Sequence, residues 1–268
     1  MIDAQAHREL EGGGRMPLLG LGVWQLAAGQ ETEQAVEWAL EAGYRHIDTA
    51  SMYRNERSVG AALRRSGLPR EQVFVTTKLM PVRPRAEREL ERSLERLGLA
   101  YVDLYLIHFP VPLMTRRHWR ALESLQERGL ARAIGVSNFG RERLRKLSAG
   151  GSRKPAVNQV QLSPLHYRRA LLDYCAQEGI VLEAYSPLER GRALANPTIA
   201  AVAGRVARTP AQVMLRWAIQ RGAVVIPKSS NRERIRSNAQ IFDFELDAEA
   251  MRDLDGLDST GGTANARR

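Results

Sequence analysis

His46-Ile47-Asp48-Thr49-Ala50-Ser51-Met52-Tyr53-Arg54-Asn55-Glu56 is the stretch on which the reading of the fold turns. Tyr44 to Ile47 is a short apolar approach of strand type, and Asp48 stands where such a strand should stop. Tyr53 follows in a segment too polar for a core. Asn55 is placed to cap the helical pattern that continues through Val59, Ala62 and Leu63. A carboxylate at a strand tip and a phenol in the next loop make half of an acid–base site.

Working outward, the strand–loop–helix unit recurs. Strand-like runs lie at Leu18–Val23, Arg45–Ile47, Val73–Thr77, Val102–Ile107, Ala133–Val136, Ala156–Gln161, Val181–Ala184 and Val224–Ile226. Helical patterns separate them: Thr32–Leu40, Ala86–Leu97, the turns around Trp119, Leu122 and Leu125, Arg141–Leu147, Arg168–Gln177 and Pro210–Gln220. Thr209 followed by Pro210 reads as an N-cap with proline in the first turn. An extra helix is expected at Asn196–Arg205. Eight β-runs with helices between them predict an α/β chain of (β/α)8 barrel type. The rival, a doubly wound dinucleotide sheet, requires Gly-x-Gly-x-x-Gly after its first strand. Gly20-Leu21-Gly22 is followed by Val-Trp-Gln, so the third glycine is missing. Residues 1–17 contain a short hairpin around Gly12–Gly14, and the Gly/Thr/Arg-rich tail 256–268 is expected to be mobile. Residues 1–268 read as a single domain.

The formal charge is +10 over 268 residues. The cations are almost all arginines, scattered over helices in company with glutamate, as in Arg83 to Arg96. That is the pattern of solvated helical faces rather than of a nucleic-acid surface, so no nucleic-acid partner is expected. No apolar run approaches the roughly 18 residues of a membrane span, and Met1–Glu11 is too polar for a secretory signal. A cytoplasmic location follows as an expectation. The lone cysteine, Cys175, sits in an apolar helical pattern and reads as core. The four lysines are Lys78, Lys146, Lys154 and Lys228. A chain that spends arginine on bulk charge keeps lysine where a compact ammonium is needed, and Lys78 and Lys228 both follow β-like runs.

In a barrel, catalytic residues collect at the C-terminal ends of the strands. Three successive strand ends deliver Asp48, Lys78 and His108 to one rim, with Tyr53 in the loop beside them. Asp48 is expected to pair with Lys78. The ammonium is expected to favour the Tyr53 phenolate and lower that pKa, making Tyr53 a proton donor near neutral pH. His108 would orient a substrate oxygen. No serine or cysteine nucleophile stands beside a base, and no His/carboxylate spacing forms a metal-ligand set. Such a site protonates an oxygen but must borrow its electrons, which fits reduction by a hydride carrier.

Beyond these residues, Gly43-Tyr44-Arg45-His46-Ile47-Asp48-Thr49-Ala50, Lys78, Leu106–Pro110, Gly135–Phe139, Pro155–Gln159, Tyr185–Leu188 and Ile226–Ser229 resemble the aldo-keto reductases. Within that family they look most like the bacterial group that includes 2,5-diketo-gluconate reductases. The match runs from about residue 16 to residue 255. The resemblance implies an NADPH-dependent carbonyl reductase with a catalytic tetrad of Asp48, Tyr53, Lys78 and His108, and Tyr53 as its acid. It also implies that Ser137, Asn138 and Gln159 bind the carboxamide and that Tyr185 stacks on the nicotinamide. Ser186, Leu188, Lys228, Ser229, Ser230, Arg234 and Asn238 complete the implied cofactor set. The residues themselves agree at Lys228–Asn231, where hydroxyls, cations and a helix start make an anion site.

On family positions Trp24, Met52, Phe109 and Leu188 wall an apolar slot with Tyr53 and His108 as its polar end. Phe109 stands where many relatives have tryptophan, Ser237 where a glutamate often contacts adenine, and no long C-terminal specificity loop follows residue 255. A roomier, more open site is expected. The partner is then a small-molecule carbonyl and the chain a monomer or weak dimer. Two other readings stay open: an NADPH-binding sensor with negligible turnover, and Schiff-base chemistry at Lys78.

Overall fold

The strand runs alternate between side chains aimed at a common axis and side chains covered by helices, and this periodicity closes a barrel. The computed structural model describes residues 6–83, 85–149 and 153–259. Chain order is β1 (His7–Glu9), β2 (Arg15–Pro17), β3 (Leu21–Gly22), α1 (Gln30–Glu41), β4 (His46–Asp48), α2 (Glu56–Arg65), β5 (Phe74–Leu79), α3 (Ala86–Leu97), β6 (Val102–Ile107), α4 (Thr115–Glu127), β7 (Ala131–Ser137), α5 (Arg141–Ser148), β8 (Val157–Gln161), α6 (Arg169–Gln177), β9 (Val181–Tyr185), α7 (Pro197–Arg205), α8 (Pro210–Gln220), β10 (Val224–Ile226), α9 (Arg232–Asn238) and α10 (Ala248–Asp255).

Strands β3 to β10 form one parallel sheet in sequence order. It closes through a parallel bridge between Leu19 and Val225, with Gly20 N–H bonded to the Val225 carbonyl (2.9 Å) and Gly22 N–H to that of Pro227 (3.1 Å). The result is the (β/α)8 barrel expected from the strand spacing. The run read at Leu18–Val23 shrinks to the two residues of β3 because its ends are held by these bridges rather than by a full ladder. Strands β1 and β2 pair as an antiparallel hairpin, Arg8 opposite Met16, on the side where the barrel strands begin.

Helix faces explain the outer ring. On α3, Ala86, Leu90, Leu94 and Leu97 recur on one stripe and are buried, and Gly98 ends the helix in the left-handed conformation (φ 68°). Gly60 of α2 meets the end of α3 so closely that a Cβ there would lie 2.1 Å from the Leu97 carbonyl oxygen. Helix α8 opens with a complete capping box between Thr209 and Gln212. Asn196 caps α7, the extra helix. On the outside, arginines bridge to acids of neighbouring helices, as Arg65 does to Glu33 (2.7 Å) and Glu37 (2.6 Å). Among the described residues no helix is long and apolar enough to cross a membrane.

Asn55 departs from expectation. It precedes α2, but its side chain caps nothing. Fully buried, it accepts from Thr49 Oγ1 (2.9 Å) and donates to the carbonyls of Val23 (2.9 Å) and Leu26 (3.3 Å). It therefore ties the loop after β4 to the loop after β3. The first residues of the tail are attached: Ser259 bonds the Leu165 carbonyl through N–H and Oγ, and Asp258 accepts from Tyr167 N–H. Residues 1–5 of the hairpin segment and 260–268 of the tail lie outside the described residues.

Candidate active site

Parallel register brings three strand ends to one rim. Asp48 ends β4, Lys78 is the penultimate residue of β5, and His108 follows β6, its N–H on the Leu79 carbonyl (3.2 Å). Ser51–Tyr53 forms a single 3₁₀ turn closed by Arg54 at φ 60°, and Ser51 Oγ donates to the Lys78 carbonyl (3.0 Å). That turn lays Tyr53 over Lys78.

Lys78 is wholly buried and spends its three ammonium donors on Asp48 Oδ1 (2.6 Å), the Thr49 carbonyl (2.9 Å) and the Tyr53 hydroxyl (3.3 Å). Burial alone would lower its pKa; Asp48, Tyr53 and Glu183 together more than offset this and leave it raised. An ammonium held so firmly is no free amine, which argues against Schiff-base chemistry. Burial raises the Asp48 carboxyl, against the pull of Lys78 and of a hydrogen bond from Gln159. His108 is driven down to about 3 by burial and by the Lys78 charge, so its imidazole is neutral across the physiological range. Its Nδ1 is buried without a hydrogen-bond partner among the described residues, and its ring stands edge-on to Tyr53 at 5.6 Å.

Tyr53 corrects the sequence reading. Its pKa is raised, not lowered, because burial outweighs the opposing charge of Lys78, and Asp48 and Glu183 push the same way as burial. Lys78 is as close as expected; what the sequence did not reveal is how far the surrounding structure shields the half-buried phenol from water. The phenol is accordingly protonated at rest.

Beneath this cluster lies a second polar layer that the sequence reading missed. Gln159 Nε2 donates both to Asp48 Oδ2 (2.8 Å) and to Glu183 Oε2 (2.7 Å). Glu183, fully buried, is pushed up to about 8 by burial and by the Asp48 charge. Of the two carboxyls it is the one that holds a proton at neutral pH. His46 Nε2 lies 3.2 Å from Thr76 Oγ1 and 3.5 Å from Glu183 Oε1. A signal was available: Glu183 is a lone acid in an apolar run, two residues before Tyr185, just as His46 precedes Asp48 and Gln159 precedes Gln161. Period-two alternation aims each pair at the same interior.

A cavity of about 550 Å³ opens over the rim, lined by Asp48, Tyr53 and His108. Trp24, Met52, Phe109 and Leu188 are on its wall, Trp24 and Met52 well exposed. Ser137, Asn138, Gln159, Tyr185, Ser186 and Lys228 line it as well. Asn138, at φ 63°, donates through Nδ2 to the His108 carbonyl (3.2 Å) and to Ser137 Oγ (3.0 Å), and accepts from the Tyr185 hydroxyl (2.9 Å). Ser137 Oγ itself donates to the Gln159 carbonyl (2.9 Å).

Ser229, Ser230, Arg234 and Asn238 are not part of that wall; they follow β10 on the continuing rim. There Ser229 Oγ accepts from Asn231 N–H (3.1 Å), and Asn231 caps α9 through Arg234 N–H (2.9 Å). Lys228 and Arg234 are exposed and have no ion-pair partner among the described residues, so this arc has the donors and cations to seat an anion such as a phosphate. Cys175 is buried, its thiol pushed up to about 12 by burial.

Residues 18–259 match the family model described as the Aldo/keto reductase family. The chain is 49% identical over 249 residues to a 9,11-endoperoxide prostaglandin H2 reductase of Trypanosoma cruzi, covering 91% of this chain and 88% of that protein. It is 46% identical over 252 residues to a glyoxal reductase of Bacillus subtilis, covering 93% and 91%. Among solved structures, an aldo/keto reductase from Brucella melitensis superposes with a TM-score of 0.90 at 40% identity, covering 96% of this chain and 100% of that one.

Proposed function

The chain belongs to the aldo/keto reductase family, and on that premise we propose that it reduces aldehydes and ketones to alcohols with NADPH, Tyr53 supplying the proton. The observation that carries this reading is the Lys78 ammonium, 3.3 Å from the Tyr53 hydroxyl and 2.6 Å from Asp48. NADPH, when bound, supplies the hydride. Ser137, Asn138, Gln159 and Tyr185 would hold its nicotinamide end, with Ser186 and Leu188 beside them. Lys228, Ser229, Ser230, Arg234 and Asn238 would hold the adenosine phosphate.

The chain's own residues do the rest. The carbonyl oxygen sits between Tyr53 and neutral His108, which orients it without competing for the proton. As negative charge builds on that oxygen, Tyr53 gives up its phenolic proton. The phenolate left behind faces the Lys78 ammonium in a water-poor site, where the attraction is strongest. Asp48 holds Lys78 charged and in place throughout. A raised phenol pKa suits this order of events: the proton stays on Tyr53 until the substrate oxygen becomes the better base.

The prostaglandin and glyoxal reductases among the relatives act on very different molecules, so the substrate is not set by family. The relative named a glyoxal reductase supports trying dicarbonyls first. The test is NADPH oxidation with methylglyoxal or phenylglyoxal, with NADH in parallel. Tyr53→Phe is expected to lower kcat by at least 10²-fold while NADPH still binds. A fully active Tyr53→Phe enzyme overturns the assignment.

A further inference from the structure

The proposed reaction leaves one ionisable group of the barrel interior unused, the carboxyl of Glu183. It is fully buried at the middle of β9. Its Oε2 accepts from Gln159 Nε2 at 2.7 Å, and the same nitrogen reaches Asp48 Oδ2 at 2.8 Å. One amide thus holds two acids side by side. Asp48 grips Lys78 through its other oxygen (2.6 Å), and Lys78 meets the Tyr53 hydroxyl (3.3 Å). Hydrogen bonds therefore run without a break from Glu183 through Gln159, Asp48 and Lys78 to the proposed acid.

Two carboxyls sharing one amide, with one ammonium between them and no water, do not both ionise without a large cost. Asp48 has the ammonium in contact, so Glu183 is the one that keeps a proton. The proton has a place: Glu183 Oε1 has no hydrogen-bond partner among the described residues and faces His46 Nε2 across 3.5 Å. Nothing around it stands ready to neutralise a second charge. Strand β4 supplies Asp48 and the neutral His46, β5 supplies Lys78, β8 the uncharged Gln159, and β10 the apolar Val224 alongside. Burial and then Asp48 push the carboxyl up to about 8, against the Gln159 bond and the Lys78 charge. The consequence falls on Tyr53. A charge on Glu183 holds the phenolic proton more tightly, in the direction in which Asp48 also acts.

We propose that Glu183 is a positioning residue for proton delivery: while it keeps its own proton, Lys78 is left to favour the Tyr53 phenolate, and when it ionises its charge holds the proton on Tyr53 and slows reduction. This rests on the carbonyl-reductase reading above, and two of its three readouts need no turnover.

Infrared difference spectra of the free protein, taken between about pH 6.5 and 9.5, should show the carbonyl stretch of one protonated carboxyl vanish with a midpoint near 8, and Glu183→Gln should abolish that step. A wild-type protein without the step overturns the proposal before any variant is made. Tyrosine labelled with carbon-13 at Cζ, with Tyr53 assigned from Tyr53→Phe, reads the phenol itself. Glu183→Gln should lower the Tyr53 midpoint by roughly one pH unit, a tenfold change in proton affinity from one buried charge. An unmoved midpoint overturns the link. With NADPH and methylglyoxal, the wild-type single-turnover rate should fall roughly tenfold across the same pH range, and Glu183→Gln should lose most of that fall whatever its absolute rate. Glu183→Asp, which keeps an ionisable carboxyl, should restore it. A fall that survives Glu183→Gln assigns the titration to another group and sinks the proposal. If no carbonyl is reduced while the infrared step and the Tyr53 shift are both present, the coupling stands and the reductase reading falls. Reduction with an unmoved Tyr53 midpoint does the reverse.

Discussion

Glu183 Oε1 stands 3.5 Å from His46 Nε2 deep in the barrel, and the two are not an ion pair at neutral pH. The distance alone would admit one. Burial, with the Lys78 charge, drives His46 down to about 3, while burial and the Asp48 charge push Glu183 up to about 8. Both are therefore neutral between those limits.

Their signs of pH dependence are opposite. Glu183 ionises near 4.5 when unfolded and near 8 in the fold, so unfolding releases its proton in that window and its contribution to stability falls as pH rises through it. His46 charges near 6.5 when unfolded and near 3 in the fold, so its contribution falls as pH drops from 6.5 toward 3. Glu183→Gln keeps the shape and removes the first term. Relative to wild type, it should gain at least about 1 kcal/mol between pH 5.5 and pH 8.5, read from urea unfolding. A difference that stays constant with pH would show that Glu183 does not carry the buried proton.

Lys78→Met leaves the Asp48 carboxylate buried with only the Gln159 amide to face it. Loss of about 3–5 kcal/mol at pH 8 is expected, smaller at pH 5 where the isolated carboxyl can take a proton. The double variant Asp48→Asn/Lys78→Met should recover part of that stability, though no turnover. If the double variant unfolds as readily as the single one, the loss does not come from a stranded charge.

Asn55→Ala removes three buried hydrogen bonds that join the loops after β3 and β4. About 2–4 kcal/mol of destabilisation should follow, from two carbonyls and a hydroxyl left unsatisfied. Tyr53 is two residues away, so KM and kcat should both worsen. A variant that is destabilised yet kinetically normal would limit Asn55 to a structural role.

Gly60→Ala forces a methyl group against the Leu97 carbonyl at a distance no real Cβ tolerates, since the ideal position lies 2.1 Å away. Helices α2 and α3 must separate there, at roughly 1–3 kcal/mol. Thermal unfolding is the readout, and a variant as stable as wild type would mean that the contact is looser than it stands.

The barrel was legible because each strand run is apolar, short and bounded, and because Asp48, Lys78 and His108 end three of them in succession. Residue type at a strand end also sufficed to bring Tyr53 and Lys78 together. Burial was harder to read. The Tyr53 pKa runs opposite to expectation because desolvation depends on what covers the ring, which no spacing states. Asn55 looked like a cap because sequence shows a residue's neighbours along the chain, and its real partners include carbonyls some thirty positions back. Helix α10 went unread although Asp247 caps it, since its buried face is only Ala250, Met251 and Leu254. Glu183 was visible but had no partner until Gln159 linked it to Asp48.

That link has one more effect. With both amide hydrogens of Gln159 directed at carboxyl oxygens, turning the amide over would set its carbonyl against the charged Asp48 carboxylate, so the group is held in one orientation. Its remaining polar atom is an oxygen, on a residue that lines the cavity. At this point the floor of the site is therefore a fixed acceptor, and a molecule settling on it must offer an N–H or O–H there or forgo the contact. Two acids below the floor thus decide which edge of a visitor faces down.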